Sequence, residues 1–292
     1  MEPTPEHAIV SETLPDSRLT TFLDASGDHA LYFLEGQKLV RDLALVHAMP
    51  PRGFACFRDF VLSIEPLIAL MKGGEQLGFY VDSESPRFSL KIEASHAGDT
   101  RCLLFPADFG DFPAAMTGTV RVRRHDVRGG QPYESVIEAT RLALRDVVNR
   151  VLEVSWQVSC RVVVSQASDQ SAMLHRLPPL PGLEIEDPQQ ALQARMEELT
   201  PGLEELFARG LTDPDAITAA LAGLGFRPIA SRSVRFHCPC SRERFISQLR
   251  VINAQSPLFD PGQTETEVTC EYCRTSYTLT RAEVDAPPDV VH

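Results

Sequence analysis

Short stretches of alternating apolar residues, two longer stretches with helical periodicity among them, and a proline cluster near residue 180 predict an α+β protein. The first part is expected to be an N-terminal antiparallel-sheet domain with helices. Past the prolines the chain changes character twice, first to short helices and then to a small segment with closely paired cysteines.

Residues 1–18 are polar, contain Pro3, Pro5 and Pro15, and show little apolar periodicity, so disorder is expected there. Ala30-Leu31-Tyr32-Phe33-Leu34 and the stretch from Leu39 to Val46 read as two strands across a turn at Glu35-Gly36-Gln37. Phe57, Phe60, Val61, Ile64, Ile68 and Met71 have a helical period, with Pro66 predicting a kink or two pieces and Gly73-Gly74 an end. Leu77–Val81, Arg87–Glu93, Thr100–Phe105 and Thr117–Arg124 read as strands, and their short links suggest antiparallel pairing. The spacing from Glu134 to Glu153 predicts a helix of about five turns. Cys160–Val164 is a β-branched strand, and the first domain runs to about Pro178.

Pro178-Pro179-Leu180-Pro181-Gly182 marks a boundary. Three helix starts follow at Asp187-Pro188, Thr200-Pro201 and Asp213-Pro214, each a capping residue before a proline at the first helical position. Gln190 completes a capping box with Asp187, and Gly210, Gly223 and Gly225 supply stops. The expected domains are therefore 1–182, an α+β core; 183–232, a short helical linker; and 233–292, a small C-terminal domain around the cysteines.

Composition excludes several classes of function. Net charge is −12, from 28 basic and 40 acidic residues, which repels phosphate backbones and argues against a nucleic-acid partner. The longest apolar stretch, Phe60 to Met71, is interrupted by Glu65 and Pro66, so no membrane span is expected. Met1-Glu2-Pro3-Thr4-Pro5-Glu6-His7 has neither a basic nor an apolar signal region. Seven cysteines, an odd number without small-scaffold spacing, argue against a secreted disulfide framework and for a reducing cytoplasm.

Four of those cysteines are closely paired. Cys238-Pro239-Cys240 is followed by 29 residues and then Cys270-Glu271-Tyr272-Cys273. In an extended C-x-C both side chains point the same way, and C-x-x-C bends as a knuckle. Two such pairs match one tetrahedral zinc ion with four thiolate ligands. His237 is weighed as a substitute ligand, but four sulfurs suffice and a neighbour that packs or hydrogen-bonds is the better reading. Ser241 to Val251 is expected to be helical, Pro257 to Gly262 a turn, and Glu267–Thr269 with Ser276–Leu279 a hairpin around the knuckle. Arg235, Arg242, Arg244 and Arg274 are expected to offset the negative site. A fully ligated zinc has no open position for catalysis. Oxidation of the thiolates to disulfides would remove the ligands and release the metal. A static structural ribbon and a redox switch both remain open from spacing alone.

Other candidates carry less. Cys56, Cys102 and Cys160 lie in apolar runs and read as buried structural thiols. Asp108, Asp111 and Asp126 form no metal loop, Glu134 and Glu138 read as a solvated face, and Gly129-Gly130 is a turn. No phosphate-loop or G-x-S-x-G spacing occurs, and no constellation for nucleophilic catalysis is seen, so an enzyme is not expected.

The stretch Phe236-His237-Cys238-Pro239-Cys240-Ser241-Arg242-Glu243-Arg244-Phe245, with Glu267-Val268-Thr269-Cys270-Glu271-Tyr272-Cys273 and Tyr277, closely resembles the C-terminal zinc domain of the heat-shock protein 33 family. Asp213 to Pro228 is similar to the stretch that leads into that domain, and His175-Arg176-Leu177-Pro178 resembles the end of the family's core. Earlier in the chain Val40-Arg41-Asp42 stands where the family has V-R-G, Leu70-Met71-Lys72-Gly73-Gly74 resembles its L-K-x-x-G, Ser83-Glu84-Ser85-Pro86 replaces G-D-G-P, and Ser155-Trp156-Gln157 stands for S-E-Q. The resemblance implies a redox-regulated holdase chaperone of the cytosol, inactive and monomeric while one zinc is bound by Cys238, Cys240, Cys270 and Cys273. It further implies that oxidation pairs Cys238 with Cys240 and Cys270 with Cys273, releases zinc and unfolds the linker. The exposed apolar surface would hold unfolding client proteins without ATP, and the chain would form a homodimer. The alternatives are a constitutive zinc-ribbon interaction protein and, more remotely, a thiol oxidoreductase acting through Cys270 and Cys273.

Overall fold

The computed structural model of the protein describes residues 14–179 and 187–286, and the chain divides after Phe236 into two compact units. Most of the expected disordered lead-in and of the proline boundary lies outside the described residues.

The larger unit begins with β1 (Arg18–Asp24) and β2 (His29–Glu35), an antiparallel pair. Its turn is held by the Asp24 carboxylate, which accepts from the backbone N–H groups of Asp28 and His29. The expected strand from Leu39 to Val46 is instead a helix, α1 (Gln37–Val46). Leu39, Val40 and Leu43 share its buried face, and Lys38 reaches Asp42 one turn on, spacings that belong to a helix. Gly36 is pressed against the interior where β2 gives way to α1, since a Cβ there would lie 2.7 Å from Leu62.

α2 (Pro51–Ile64) continues into a 3-10 helix, Glu65–Leu70, with Pro66 in its first turn, so the expected two pieces are present. Then come β3 (Glu75–Ser85), β4 (Arg87–Ser95), β5 (Asp99–Phe105) and β6 (Ala115–Asp126), all antiparallel. The five-turn helix expected from Glu134 to Glu153 does not form. Its first half is β7 (Tyr133–Ala143), paired with β6 in the register Val120 to Ile137. Ile137 packs on the core and Ala139 is buried, while Val136 is 60% exposed, an alternation of period two hidden by the adjacent apolar pair Val136-Ile137. A 3-10 turn, Leu144–Asp146, then α3 (Val147–Val151) and a π-helical turn, Leu152–Trp156, remain of that helix.

β8 (Cys160–Val164) pairs with β9 (Gln170–Arg176), a strand without a sequence expectation, and β9 pairs with β2. α4 (Pro188–Arg209) starts at the Asp187 cap, which accepts from the N–H groups of Gln189 and Gln190, and ends at Gly210 with φ +56. It runs straight through Thr200-Pro201, correcting the second expected helix start. Thr200 donates its hydroxyl to the Met196 carbonyl at 2.8 Å, and buried Met196, Leu199, Leu203 and Leu206 hold the helix across the missing proline N–H. α5 (Pro214–Gly223) is capped by Asp213. β10 (Phe226–Ser233) then pairs with β1, and β11 (Arg235–Phe236) pairs parallel to β5.

Two sheets result, one of five strands in the order β10-β1-β2-β9-β8 and one of six in the order β11-β5-β4-β3-β6-β7. α2 and the 3-10 helix contribute Phe57, Phe60, Val61 and Ile68 to one core shared with Leu34 of the first sheet and Phe79, Phe88 and Ile92 of the second. The five-stranded sheet is apolar on its other face too. Phe22, Leu31, Phe33, Ala172 and Leu174 are covered there by Leu192, Met196, Leu199, Leu203, Leu206 and Phe207 of α4, with Ile217 and Leu221 of α5. The outer side of α4 carries exposed Gln193, Glu197, Glu198, Glu204 and Glu205. Among the described residues no helix is long and apolar enough to cross a membrane.

The smaller unit holds α6 (Arg242–Asn253), the hairpin β12 (Glu265–Thr269) and β13 (Ser276–Thr280), and α7 (Arg281–Asp285). Among the described residues its buried core cluster is Phe259, Leu279 and Val284, with Phe245, Ile246, Leu249, Val268 and Tyr277 packed partly against them.

Glu65 is fully buried in the larger core, and neither carboxyl oxygen reaches a hydrogen-bond partner among the described residues. Burial pushes its pKa up to about 8, and the nearby Thr100 side chain works the other way without overcoming it. The folded state therefore keeps a proton that the unfolded chain loses near its ordinary value, and stability falls as pH rises through that window. Glu65→Gln should remove this fall. In denaturant titrations between pH 5 and 8 the variant's stability relative to wild type should rise with pH, by on the order of a few kcal/mol; a constant difference would contradict the assignment.

Candidate metal centre

Cys238 and Cys240 lie on the extended segment that runs into α6, whose first turn is capped by Ser241 accepting from the Arg244 N–H. Cys270 and Cys273 lie in the turn between β12 and β13. There the Cys270 N–H donates to the Thr275 carbonyl at 2.9 Å and the Arg274 N–H donates to the Cys270 carbonyl at 2.8 Å. Arg274 takes φ +60 to close that knuckle. The expected helix and hairpin thus carry one pair each.

All four cysteines are free thiols, and their sulfurs lie within 4.8 Å of one another. Cys238 Sγ is 3.7 Å from Cys270 Sγ, and Cys240 Sγ is 3.2 Å from Cys273 Sγ. A tetrahedron with metal–sulfur bonds of ~2.3 Å has edges of about 3.8 Å, so the quartet fits a single thiophilic ion. Cys270 is 5% exposed and the others are partly buried. His237 is exposed and stands outside the cluster.

Without a cation the quartet cannot ionise fully. Burial, then the neighbouring sulfurs, push the Cys238 thiol up to about 12, and burial likewise raises Cys240. Burial acts upward on Cys273 as well, but the Thr275 hydroxyl and backbone N–H and the thiols of Cys240 and Cys270 bring it down to about 7. A cation bound among the sulfurs would favour their thiolate forms.

The arginines act differently from expectation. Arg242 makes a two-bond pair with Glu283, at 2.5 and 2.7 Å, and that guanidinium holds the Glu283 carboxyl down at about 2. It joins α6 to α7 and is not free to offset the sulfurs. Arg235 is 2.6 Å from Asp99 in the larger unit. Arg244 donates to the Pro239 carbonyl at 2.7 Å and so braces the C-x-C segment, while Arg274 contributes its backbone to the knuckle. Two groups without an assigned role stand against the sulfurs instead. The Tyr277 hydroxyl is 3.3 Å from Cys240 Sγ, and the Thr275 hydroxyl is 3.3 Å from Cys273 Sγ. The T-x-Y that follows Cys273 at positions 275 and 277 is the signal that was available for them.

Cys56, Cys102 and Cys160 are buried, at 0%, 0% and 7% exposure, and burial raises each thiol well above its ordinary value. The C-x-x-C sits in a hairpin turn rather than at the start of a helix after a strand, which removes the structural basis for thioredoxin-like exchange.

Comparison with known proteins gives one family. A family model described as Hsp33 protein matches residues 17–280. The 33 kDa chaperonin of Citrifermentans bemidjiense is 26% identical over 237 residues, which are 74% of this chain and 78% of that protein. The 33 kDa chaperonin of Pelobacter propionicus is 23% identical over 281 residues, 90% of this chain and 91% of its own. The crystal structure of the 33 kDa chaperonin (heat shock protein 33 homolog) from Thermotoga maritima aligns with a TM-score of 0.69 at 14% identity, covering 92% of this chain and 97% of that one, a likeness of fold.

Cys270→Ser replaces the most buried sulfur of the quartet. It should lower the metal content of purified protein from about one ion per chain to near zero. Cys56→Ser should leave metal content unchanged; equal metal loss in both variants would place the ion elsewhere.

Proposed function

The chain belongs to the Hsp33 family, and on that premise we propose that it is an ATP-independent holdase chaperone of the cytoplasm, switched by oxidation of its four-cysteine centre. The observation that carries the reading is the conjunction of four clustered sulfurs with a unit that has almost no core of its own. In this reading one Zn²⁺ is bound by Cys238, Cys240, Cys270 and Cys273 in the reduced protein. When bound, zinc supplies no catalytic position; it neutralises the thiolates and holds helix and hairpin together. A structural zinc site of this type contributes ~10–16 kcal/mol of apparent binding energy, which is also folding energy for the unit.

Oxidation dissolves that link. Each pair of thiolates gives two electrons to one molecule of peroxide, which takes two protons from solvent, forming one disulfide and two waters. Sulfurs paired in disulfides would no longer hold the ion. Cys238–Cys240 and Cys270–Cys273 are the disulfides we propose, and a disulfide map tests them directly, because the shortest sulfur contacts run across the pairs. Residues 183–232 then act as the linker. Their helices cover Phe22, Leu31, Phe33, Ala172 and Leu174, and the acidic outer face of α4 keeps them soluble when they lift away. The uncovered sheet face is the surface offered to unfolding clients, and the same surface on a second copy provides for a homodimer. The protein is not an enzyme in this reading, and neither nucleic acid nor membrane is a partner.

Peroxide at raised temperature should release zinc, remove four titratable thiols and turn on suppression of aggregation of a heat-unfolding client. Retained zinc with unchanged aggregation would favour a constitutive ribbon protein. Leu203→Ala removes a side chain 1% exposed beneath α4 and should weaken docking by about 2–4 kcal/mol. The reduced, zinc-loaded variant should bind hydrophobic dye and hold clients partially without oxidant. Wild-type silence in both assays would mean that the covered sheet face is not the client surface.

A further inference from the structure

Between β10 and β11 the chain crosses from one sheet of the larger unit to the other, and this crossing is gripped on every side. Ser233 ends the pairing of β10 with β1, opposite Arg18. Val234, 1% exposed, donates its N–H to the Ser17 carbonyl at 2.8 Å, and the buried Ser17 hydroxyl accepts from the Leu39 N–H that opens α1. On the other side the strap seizes the β4–β5 turn. Arg232 donates to the His96 carbonyl at 2.6 Å, the Arg235 N–H donates to the Gly98 carbonyl at 2.9 Å, and the Arg235 guanidinium is 2.6 Å from Asp99. Gly98 has φ +95, and a Cβ there would lie 2.0 Å from the Ser233 carbonyl oxygen. Arg235 and Phe236 then extend β5 in parallel, opposite Asp99 and Thr100. Only His237 separates Phe236 from Cys238.

We propose that residues 232–236 are the coupling strap of the protein, the element through which loss of the metal-bound fold reaches the helices over the five-stranded sheet. A parallel bridge of two residues at the end of a sheet is a short hold, and it is the part of the larger unit nearest in sequence to the ligands. β10 is an edge strand, paired to β1 alone, and α5 packs on it. While the strap keeps its register, β10 has an anchor at each end of its pairing. Once the strap frays, the C-terminal anchor of β10 is gone, α5 loses its support, and Phe226, Ile217 and Leu221 leave the second core. The tight approach at Gly98 makes the device specific: the turn accepts the strap only because no side chain stands there.

The proposal rests on the redox reading only for what loosens the strap, so its test uses no oxidant. Amide hydrogen exchange is followed by mass spectrometry on full-length, reduced, zinc-loaded protein carrying Arg235→Ala or Gly98→Ala. Exchange across 226–233 and 214–223 should accelerate about tenfold or more, more in Gly98→Ala than in Arg235→Ala, with zinc content and the protection of β9 unchanged. If Gly98→Ala fails to fold, Arg235→Ala alone carries the measurement. Faster exchange at 235–236 with β10 and α5 at wild-type rates would overturn the proposal, because the strap would then open without consequence. Unchanged rates at both segments would overturn it too, since these contacts would not be holding the strap. Neither result bears on whether peroxide releases zinc.

Discussion

Four sulfurs packed within 4.8 Å of one another repel as they ionise, and the smaller unit cannot keep them together by burial. Among the described residues its buried core cluster is Phe259, Leu279 and Val284, far short of what a unit of this length needs to fold on hydrophobic burial alone. In the proposed reading a cation of charge two would resolve both difficulties at once, cancelling the repulsion and closing α6 onto the β12–β13 hairpin. Folding energy, metal affinity and the protonation of the thiols are thereby one linked quantity. The Tyr277 and Thr275 hydroxyls at the sulfurs, and the Arg242–Glu283 pair between the helices, refine a geometry that the metal makes possible.

The larger unit presents the complementary situation. Its five-stranded sheet is apolar on both faces, one covered by α2 and the six-stranded sheet, the other by α4 and α5. α4 carries a proline in its middle, has a strongly acidic outer side and makes its stability through one buried stripe. Such an element is folded by docking more than by propensity. A protein that holds unfolding chains needs apolar surface that is absent until required, and a cover of this kind meets that need without any change in the sheet beneath.

Much of the centre was legible in the sequence because thiolate chemistry imposes spacing: C-x-C and C-x-x-C announce themselves without tertiary information. The helix and hairpin that carry them were legible for the same reason. The arginines were not, since a charge near a site in sequence finds whatever carboxylate the fold brings to it, here Glu283 for Arg242 and Asp99 for Arg235. In the larger unit the antiparallel β3–β6 strands could be read from alternation. Leu39–Val46 and Glu134–Glu153 take the opposite structures from those expected, because adjacent apolar pairs such as Leu39-Val40 and Val136-Ile137 blur the distinction between a period of two and one of 3.6, and only the packing partner decides. β9, an interior strand of mixed polarity, and β10, an exposed edge strand, carry no pattern of their own. Pro201 showed that a buried stripe outweighs a local stop signal.

The central claim is that the metal centre of the smaller unit controls the cover of the five-stranded sheet. The most direct measurement is residue-resolved amide exchange of wild-type protein during peroxide treatment, read alongside released zinc. The account predicts that protection of α6 and β12–β13 is lost with the metal, that α4, α5 and β10 follow, and that α2, β2 and β9 remain protected. Full loss of zinc with α4 and α5 still protected at their initial level would contradict it.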